Sequence, residues 1–160
     1  MNVRPAHRED ENTVAELLDE ATRWVGELGY EQWPLPFPRD ALAAAIARAE
    51  VYVVEDEGDA VATVTLLRDD PLYWGERPPD AVYVHKLAVR RACAGQRIGS
   101  AIVEWADATA AAAGREFLRL DCLRDNPGIR AYYEALGFEQ RGERHDPTRF
   151  PVALYEKRVA

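Results

Sequence analysis

The segment from Ala81 to Gly114 constrains the fold of this chain more than any other. Ala81 to Val89 reads as a strand, Arg90 to Arg97 as a basic, glycine-containing turn, and Ile98 opens a long helix. Positions 98, 102, 105, 109 and 112 recur at helical steps before Gly114 ends the helix. A turn that feeds a helix N-terminus offers several backbone N–H groups at the positive end of the helix dipole, a setting suited to phosphate. Gly95 and Gly99 let a ligand approach the backbone closely, and Arg90, Arg91 and Arg97 add positive charge. The competing reading is an ordinary strand-to-helix connection with solvated arginines. Two familiar phosphate motifs are absent: no Lys-Ser or Lys-Thr pair completes GxxxxGK[ST], and Gly95 and Gly99 lack the third glycine of GxGxxG.

Charge sharpens this picture. The chain has 160 residues and a net charge of −8, from 20 Lys+Arg and 28 Asp+Glu. A wide anionic field argues against a surface for nucleic acid or anionic lipid. Ala81 to Val103 nevertheless holds Lys86 and three arginines with no acidic residue, so +4 is concentrated there and −12 is left for the remainder. The longest apolar run, Ala41 to Ala47, is far short of the ~20 residues that span a bilayer, and charged residues in the first ten predict no signal peptide. Cys93 and Cys122 lie in unlike contexts and read as free thiols of a cytoplasmic protein. Without a CxxC, an HExxH or a Cys/His cluster, and with His7, His85 and His145 scattered, no metal site is expected.

With no repeat or linker, residues 1–160 read as a single domain. Asn2 to Arg4 is a short strand candidate. Val14, Leu17, Leu18, Ala21, Trp24, Val25 and Leu28 mark an amphipathic helix stopped by Gly29, with either Thr13 and Glu16 as a capping box or a start one turn earlier. Tyr30 to Pro38, with three prolines, is irregular, and Asp40 caps a second helix that runs to Glu50. Val51 to Glu55 and Ala60 to Leu67 form a hairpin, and Arg68 to Asp80 is a loop rich in proline and aromatics. Phe117 to Cys122 is a strand, Asn126 to Leu136 a helix closed by Gly137, and Phe138 to Gly142 and Val152 to Lys157 are two last strands. The order β-α-α-β-β-β-α-β-α-β-β predicts an α/β (α+β) domain with a mixed sheet and helices on both faces.

A second motif gives the turn a context. Phe117-Leu118-Arg119-Leu120-Asp121-Cys122 precedes Asn126-Pro127-Gly128-Ile129-Arg130-Ala131-Tyr132-Tyr133-Glu134-Ala135-Leu136-Gly137-Phe138. An Asn opening a helix, then an alanine and a Tyr-Glu-x-x-Gly-Phe ending, resembles the late motif of the GNAT superfamily of N-acetyltransferases. Val82 to Val89 with its turn and helix is similar to that family's acetyl-CoA motif, and the element order matches its mostly antiparallel sheet along the whole chain. The resemblance implies an acetyl-CoA-dependent N-acetyltransferase that moves acetyl directly to a primary amine, with a non-catalytic acyl-CoA-binding regulatory module as the alternative. It implies that Leu87, Ala88 and Val89 offer backbone groups to the pantetheine arm and the thioester oxygen. Arg91, Gly95, Gln96, Arg97, Ile98, Gly99 and Ser100 would hold the pyrophosphate, and Asn126 would contact the cofactor. Tyr133 would sit near the thioester sulfur. The family's usual Gln/Arg-x-x-Gly-x-Gly/Ala is broken here, because Ala94 replaces the first polar residue and Arg97 the central glycine.

The chemistry asks for further groups. An ammonium has no lone pair, so a base must deprotonate the acceptor, and backbone N–H groups must meet the developing oxyanion. A leaving thiolate, from a thiol of pKa near ~8.5, is usefully protonated by a phenol of pKa near ~10, the role given to Tyr133. Asp121 and His85, on the two strands that should flank the acyl group, are the candidates for general base, with Glu31 in the loop before the second helix; a surface acid or a structural histidine is the competing reading of each. Glu31, Trp33 and Trp74 are candidate acceptor-site residues, and core packing is the competing reading for both tryptophans. Cys122 has no evident partner base, which argues against a covalent thiol mechanism. The acceptor reads as a small-molecule or peptide amine, cationic by preference, and aromatics near Trp74 suggest a homodimer.

Overall fold

The computed structural model describes residues 1–145 and 150–160. Seven strands take the order β1-β2-β3-β4-β5-β7-β6 in a mixed, mostly antiparallel sheet. The strands are β1 (Asn2–Pro5), β2 (Val51–Asp56), β3 (Asp59–Leu67), β4 (Ala81–Val89), β5 (Phe117–Leu123), β6 (Glu139–Arg144) and β7 (Val152–Arg158). The helices are α1 (Glu11–Glu27), α2 (Arg39–Ala47), α3 (Pro71–Trp74), α4 (Ile98–Ala112) and α5 (Pro127–Ala135). The expected order is met, with one addition: α3 is a single turn inside the stretch read as loop. The chain divides into two compact units, each discontinuous in sequence: residues 1–66 with 86–101, and residues 67–85 with 102–160.

In the first unit, α1 starts a turn before Thr13. A 3-10 turn over Arg8–Asp10 precedes it, and the His7 N–H donates to the Asp10 carboxylate at 2.7 Å. Thr13 and Glu16 therefore lie inside the helix: of the two starts expected, the earlier one forms and their capping box does not. Trp24 and Leu28, read as part of the buried stripe, are exposed instead. Pro38, not Asp40, is the N-cap of α2, which ends at Ala47 rather than Glu50. The core packs Val14, Ala15 and Leu18 of α1 with Phe37, Leu42, Ile46, Val51, Val53 and Ala88. Phe37, which holds the irregular 30–38 segment to this core, donates its N–H to Asp19 at 2.9 Å. Arg4 ties β1 to its surroundings through Asp10 (2.8 Å) and Glu55 (2.9 Å).

In the second unit, β5 runs parallel to β4 and antiparallel to β7. Trp74, Ala81, Tyr83, Val152 and Leu154 form a buried cluster. Arg119, 3% exposed, sets its guanidinium 5.4 Å from the Trp74 ring and is bonded to Asp80 (2.8 Å), Glu156 (2.8 Å) and the Tyr83 hydroxyl (3.0 Å). Burial works against its charge, but these hydrogen bonds outweigh the penalty and hold its pKa above the ordinary arginine value. Along α4 the buried positions are Ile98, Ile102, Val103, Ala106, Asp107 and Ala110: 98 and 102 lie on the buried face as expected, whereas 105, 109 and 112 do not. Alanine permits close packing where a stripe drawn through Trp105 would not, so the buried face turns toward the small residues.

Candidate active site

The turn after β4 belongs wholly to the first unit. Arg91–Cys93 make a 3-10 turn, and Arg91, Ala94, Gly95, Gln96 and Arg97 are all exposed. Gly95 has φ +81°, and a Cβ built there would meet nothing within 4 Å, so the space over it is open to a ligand. Arg97 has φ +61°, the left-handed region that costs a residue with a Cβ about 1 kcal/mol. The residue that departs from the family pattern thus adopts the backbone a glycine would favour. Ala101 N–H donates to the Arg97 carbonyl at 3.1 Å, which leaves the N–H groups of Ile98, Gly99 and Ser100 without intrahelical acceptors. The first turn of α4 carries no acidic residue, so nothing there competes for an anion.

The arginines of this turn are less uniform than the charge count implied. Arg90 donates its Nε to the Ala60 carbonyl at 2.9 Å, and its N–H to Val61 at 2.8 Å, so it anchors the turn. The Arg91 guanidinium stacks 3.8 Å over the Trp24 ring, and the Arg91 N–H reaches Glu20 at 3.4 Å. Leu87 and Val89 are half-buried and Ala88 joins the core, as a strand end does that offers only its backbone to a ligand. Lys86, just before them, has φ +50°, an irregularity in mid-strand. Glu31 is exposed, and Trp33 is half-buried against the first unit's core.

The second unit brings His85 and Asp121 together and adds a residue that sequence reasoning missed. The β4–β5 register runs from Ala81/Phe117 to Val84/Leu120. The next residue on each strand is His85 and Asp121, with His85 Nδ1 3.7 Å from Asp121 Oδ1. On the other side of the ring, Nε2 lies 2.9 Å from Oδ2 of Asp70, whose side chain is 7% exposed. Asp70 is the N-cap of α3, where an aspartate ordinarily accepts from the helix N–H groups, yet it makes no capping bond. An Asp before a Pro at the first helical position is a helix-start signal, but nothing in the sequence pairs it with a histidine fifteen residues on. His85 is therefore not an isolated histidine. Asp70, His85 and Asp121 each place a ligand-type atom within 4.8 Å of the others, the one such constellation among the described residues.

Tyr133, on α5, is 8% exposed and packs edge-on to Tyr132 and Phe138, with ring centroids at 5.3 and 5.7 Å. Burial, then the neighbouring Cys122, Tyr132 and Asp121, push its pKa above the usual phenol value. It therefore stays protonated at neutral pH and is a donor, not a base. Cys122 is pushed up to about 12, chiefly by burial and then by Asp121, so its thiol is neutral and a poor nucleophile. Both cysteines are free. Asn126 is the N-cap of α5, its Oδ1 accepting from Ile129 N–H at 3.2 Å, which leaves its amide NH₂ able to donate elsewhere. Trp74 is 2% exposed, edge-on to Tyr83 at 6.2 Å, and presents no face to an acceptor. Beside the buried Trp74, Leu72 is exposed and Tyr73 half-buried.

The mixed sheet, the glycine-bearing turn opening α4, and the Asn-capped helix carrying a buried tyrosine are the elements on which the sequence resembles an acyl-CoA-dependent transferase. The family model for the GNAT acetyltransferases matches residues 13–138, and the chain belongs to that family: it is an acetyltransferase with acetyl-CoA as acyl donor. Among its relatives is the uncharacterized N-acetyltransferase YesJ of Bacillus subtilis strain 168, 30% identical over 146 residues, covering 86% of this chain and 81% of YesJ. A GNAT-family acetyltransferase of Listeria monocytogenes has a TM-score of 0.83 at 25% identity, covering 99% of this chain and 94% of that one. The fold is shared with the PaiA N-acetyltransferase of Thermoplasma acidophilum, a structure solved with coenzyme A (TM-score 0.77, 16% identity, 98% of each chain). The open turn at Gly95 and the acid-free first turn of α4, with its unengaged N–H groups, fit the pyrophosphate of such a donor.

Proposed function

We propose that this protein transfers acetyl from acetyl-CoA directly to a primary amine, in the cytoplasm, with His85 and Asp121 as the proton-accepting pair and Tyr133 as the proton donor. The observation that carries this reading is the acid–base set of the second unit: an imidazole between two carboxylates, and a buried phenol held neutral. Acetyl-CoA supplies an activated thioester when bound. Backbone groups of Leu87, Ala88 and Val89 orient the acyl group, and their N–H groups meet charge that develops on the carbonyl oxygen. Gly95, Arg97, Ile98, Gly99 and Ser100 hold the pyrophosphate through main-chain N–H groups, with Arg97 adding charge; Arg91 and Gln96, whose N–H groups are bonded to Glu20 and to the Cys93 carbonyl, take part through their side chains, and Asn126 donates its amide NH₂ to the donor. His85 takes a proton from the ammonium and so gives the acceptor its lone pair. As the C–S bond breaks, Tyr133 gives its hydroxyl proton to the departing sulfur, and the second proton, which the attacking nitrogen gives up as the amide forms, restores the phenol.

Cys122 takes no covalent part, since a neutral buried thiol is neither nucleophile nor base. The acidic surplus outside Ala81–Val103, and Glu31 in the exposed 30–38 segment, favour a cationic small-molecule or peptide acceptor. The test has two stages. Acetyl-CoA and CoA should raise the melting temperature, and thiol release from acetyl-CoA should then appear with some members of an amine panel. A melting shift without thiol release on any amine would favour the non-catalytic acyl-CoA-binding reading.

A further inference from the structure

We infer that Asp70 is a positioning residue that fixes the tautomer and orientation of His85, so that Nδ1 is the atom that accepts the proton of the acceptor ammonium. The inference rests on the acetyl-transfer reading and deepens it. Asp70 Oδ2 lies 2.9 Å from His85 Nε2, and an ionised carboxylate only accepts, so this hydrogen bond keeps the proton on Nε2 and the lone pair on Nδ1.

Three features set this contact apart from a structural one. Asp70 sits in the stretch that links β3 to β4, where carboxylates are ordinarily solvated, yet its side chain is 7% exposed. It occupies an N-cap and forgoes the capping bond, so its acceptor capacity goes to the imidazole instead of the helix. His85 itself is 13% exposed and is the first residue of β4 beyond the ladder with β5, followed at once by Lys86 at φ +50°. Backbone irregularity of this kind persists where surrounding structure enforces it, and it clusters at functional sites.

Among the described residues, the groups facing the ring include Asp70 from the N-cap of α3, Asp121 from β5 at 3.7 Å, and the Tyr73 ring at 6.5 Å. When Nδ1 accepts a proton, one N–H bond of the ammonium breaks and one forms on the ring. The imidazolium then lies between the Asp70 and Asp121 carboxylates, which offset its charge until the proton leaves to solvent.

The test compares wild type with Asp70→Asn, an isosteric change, and with Asp69→Asn, which removes the same charge from an exposed neighbour. Long-range ¹H–¹⁵N spectra of the histidine rings report the tautomer without substrate. His85 should show a protonated Nε2 in wild type and Asp69→Asn, and lose that state in Asp70→Asn. In thiol-release assays Asp70→Asn should lower kcat at least tenfold and displace the acid limb of its pH profile, with KM for acetyl-CoA and the CoA melting shift unchanged. In a His85→Gln background it should cost nothing further, because Asp70 acts only through His85. A protonated Nδ1 in wild type, an unaltered kcat and pH profile in Asp70→Asn, or a full additional loss in the double variant would each overturn the assignment. A wild type that acetylates no amine in the panel overturns the transfer reading and, with it, the catalytic part of this one; the spectra decide the tautomer either way.

Discussion

The turn from Arg91 to Ser100 and the cluster around His85 are built on opposite principles. The turn is exposed and works through its main chain, so it keeps its shape with Arg97 where glycine is usual. The cluster is mostly buried and works through side chains, so each carboxylate, imidazole or phenol has one position and few substitutes. A backbone cradle tolerates sequence drift because every residue carries an N–H. A side-chain relay does not.

Arginines make the sharpest contrast between exposed and buried engagement. Arg119→Met should cost about 3–5 kcal/mol, because Glu156 and Asp80 lose their buried partner, whereas Arg91→Met should cost about 1 kcal/mol or less with the loss of its stack on Trp24. Urea melts of the two variants check this, and equal losses would break the comparison. Tyr133→Phe should slow kcat about a hundredfold with KM for acetyl-CoA unchanged, read by steady-state thiol release. An unaltered kcat would remove Tyr133 as the proton donor.

A pH effect follows from the first unit. Hydrogen bonds from Arg4 hold the Asp10 carboxyl at about 2, below its ordinary 3.8. A depressed folded-state pKa stabilises the protein above the unfolded value, so this contribution is complete above pH 4. It is lost as pH falls from 4 to about 2, by about 1–2 kcal/mol. Acid unfolding of Asp10→Asn should lack that increment. The smallest effect belongs to the turn. Arg97→Gly should raise stability by up to about 1 kcal/mol by relieving φ +61°, while KM for acetyl-CoA rises a few-fold with the lost charge. Thermal melts and kinetics of that variant read the two effects separately.

Periodicity and turn chemistry made the element order legible, because the apolar steps of α1 and the Asn126…Gly137 limits of α5 are local signals. The basic turn was legible for the same reason. The fine placement of α4's buried face was not, since small alanines at 106 and 110 outcompete Trp105 for close packing. Trp74 read as the rim of a site, and only tertiary packing against Tyr83 shows it as core. His85 and Asp121 were legible as the residues on two strands that would flank an acyl group. Asp70 was not, because the partner it takes instead of the α3 N–H groups is set by the path of a proline-rich connection that no local rule specifies.

The division of labour between these two regions is tested most directly by steady-state thiol release with His85→Gln and Gly95→Val measured side by side. His85→Gln should lower kcat about a hundredfold and leave KM for acetyl-CoA near wild type. Gly95→Val, which fills the open space over the turn and strains φ +81°, should raise KM and leave kcat within a few-fold. A His85→Gln variant that loses acetyl-CoA affinity at full kcat, or a Gly95→Val variant that loses kcat at unchanged KM, would contradict the account.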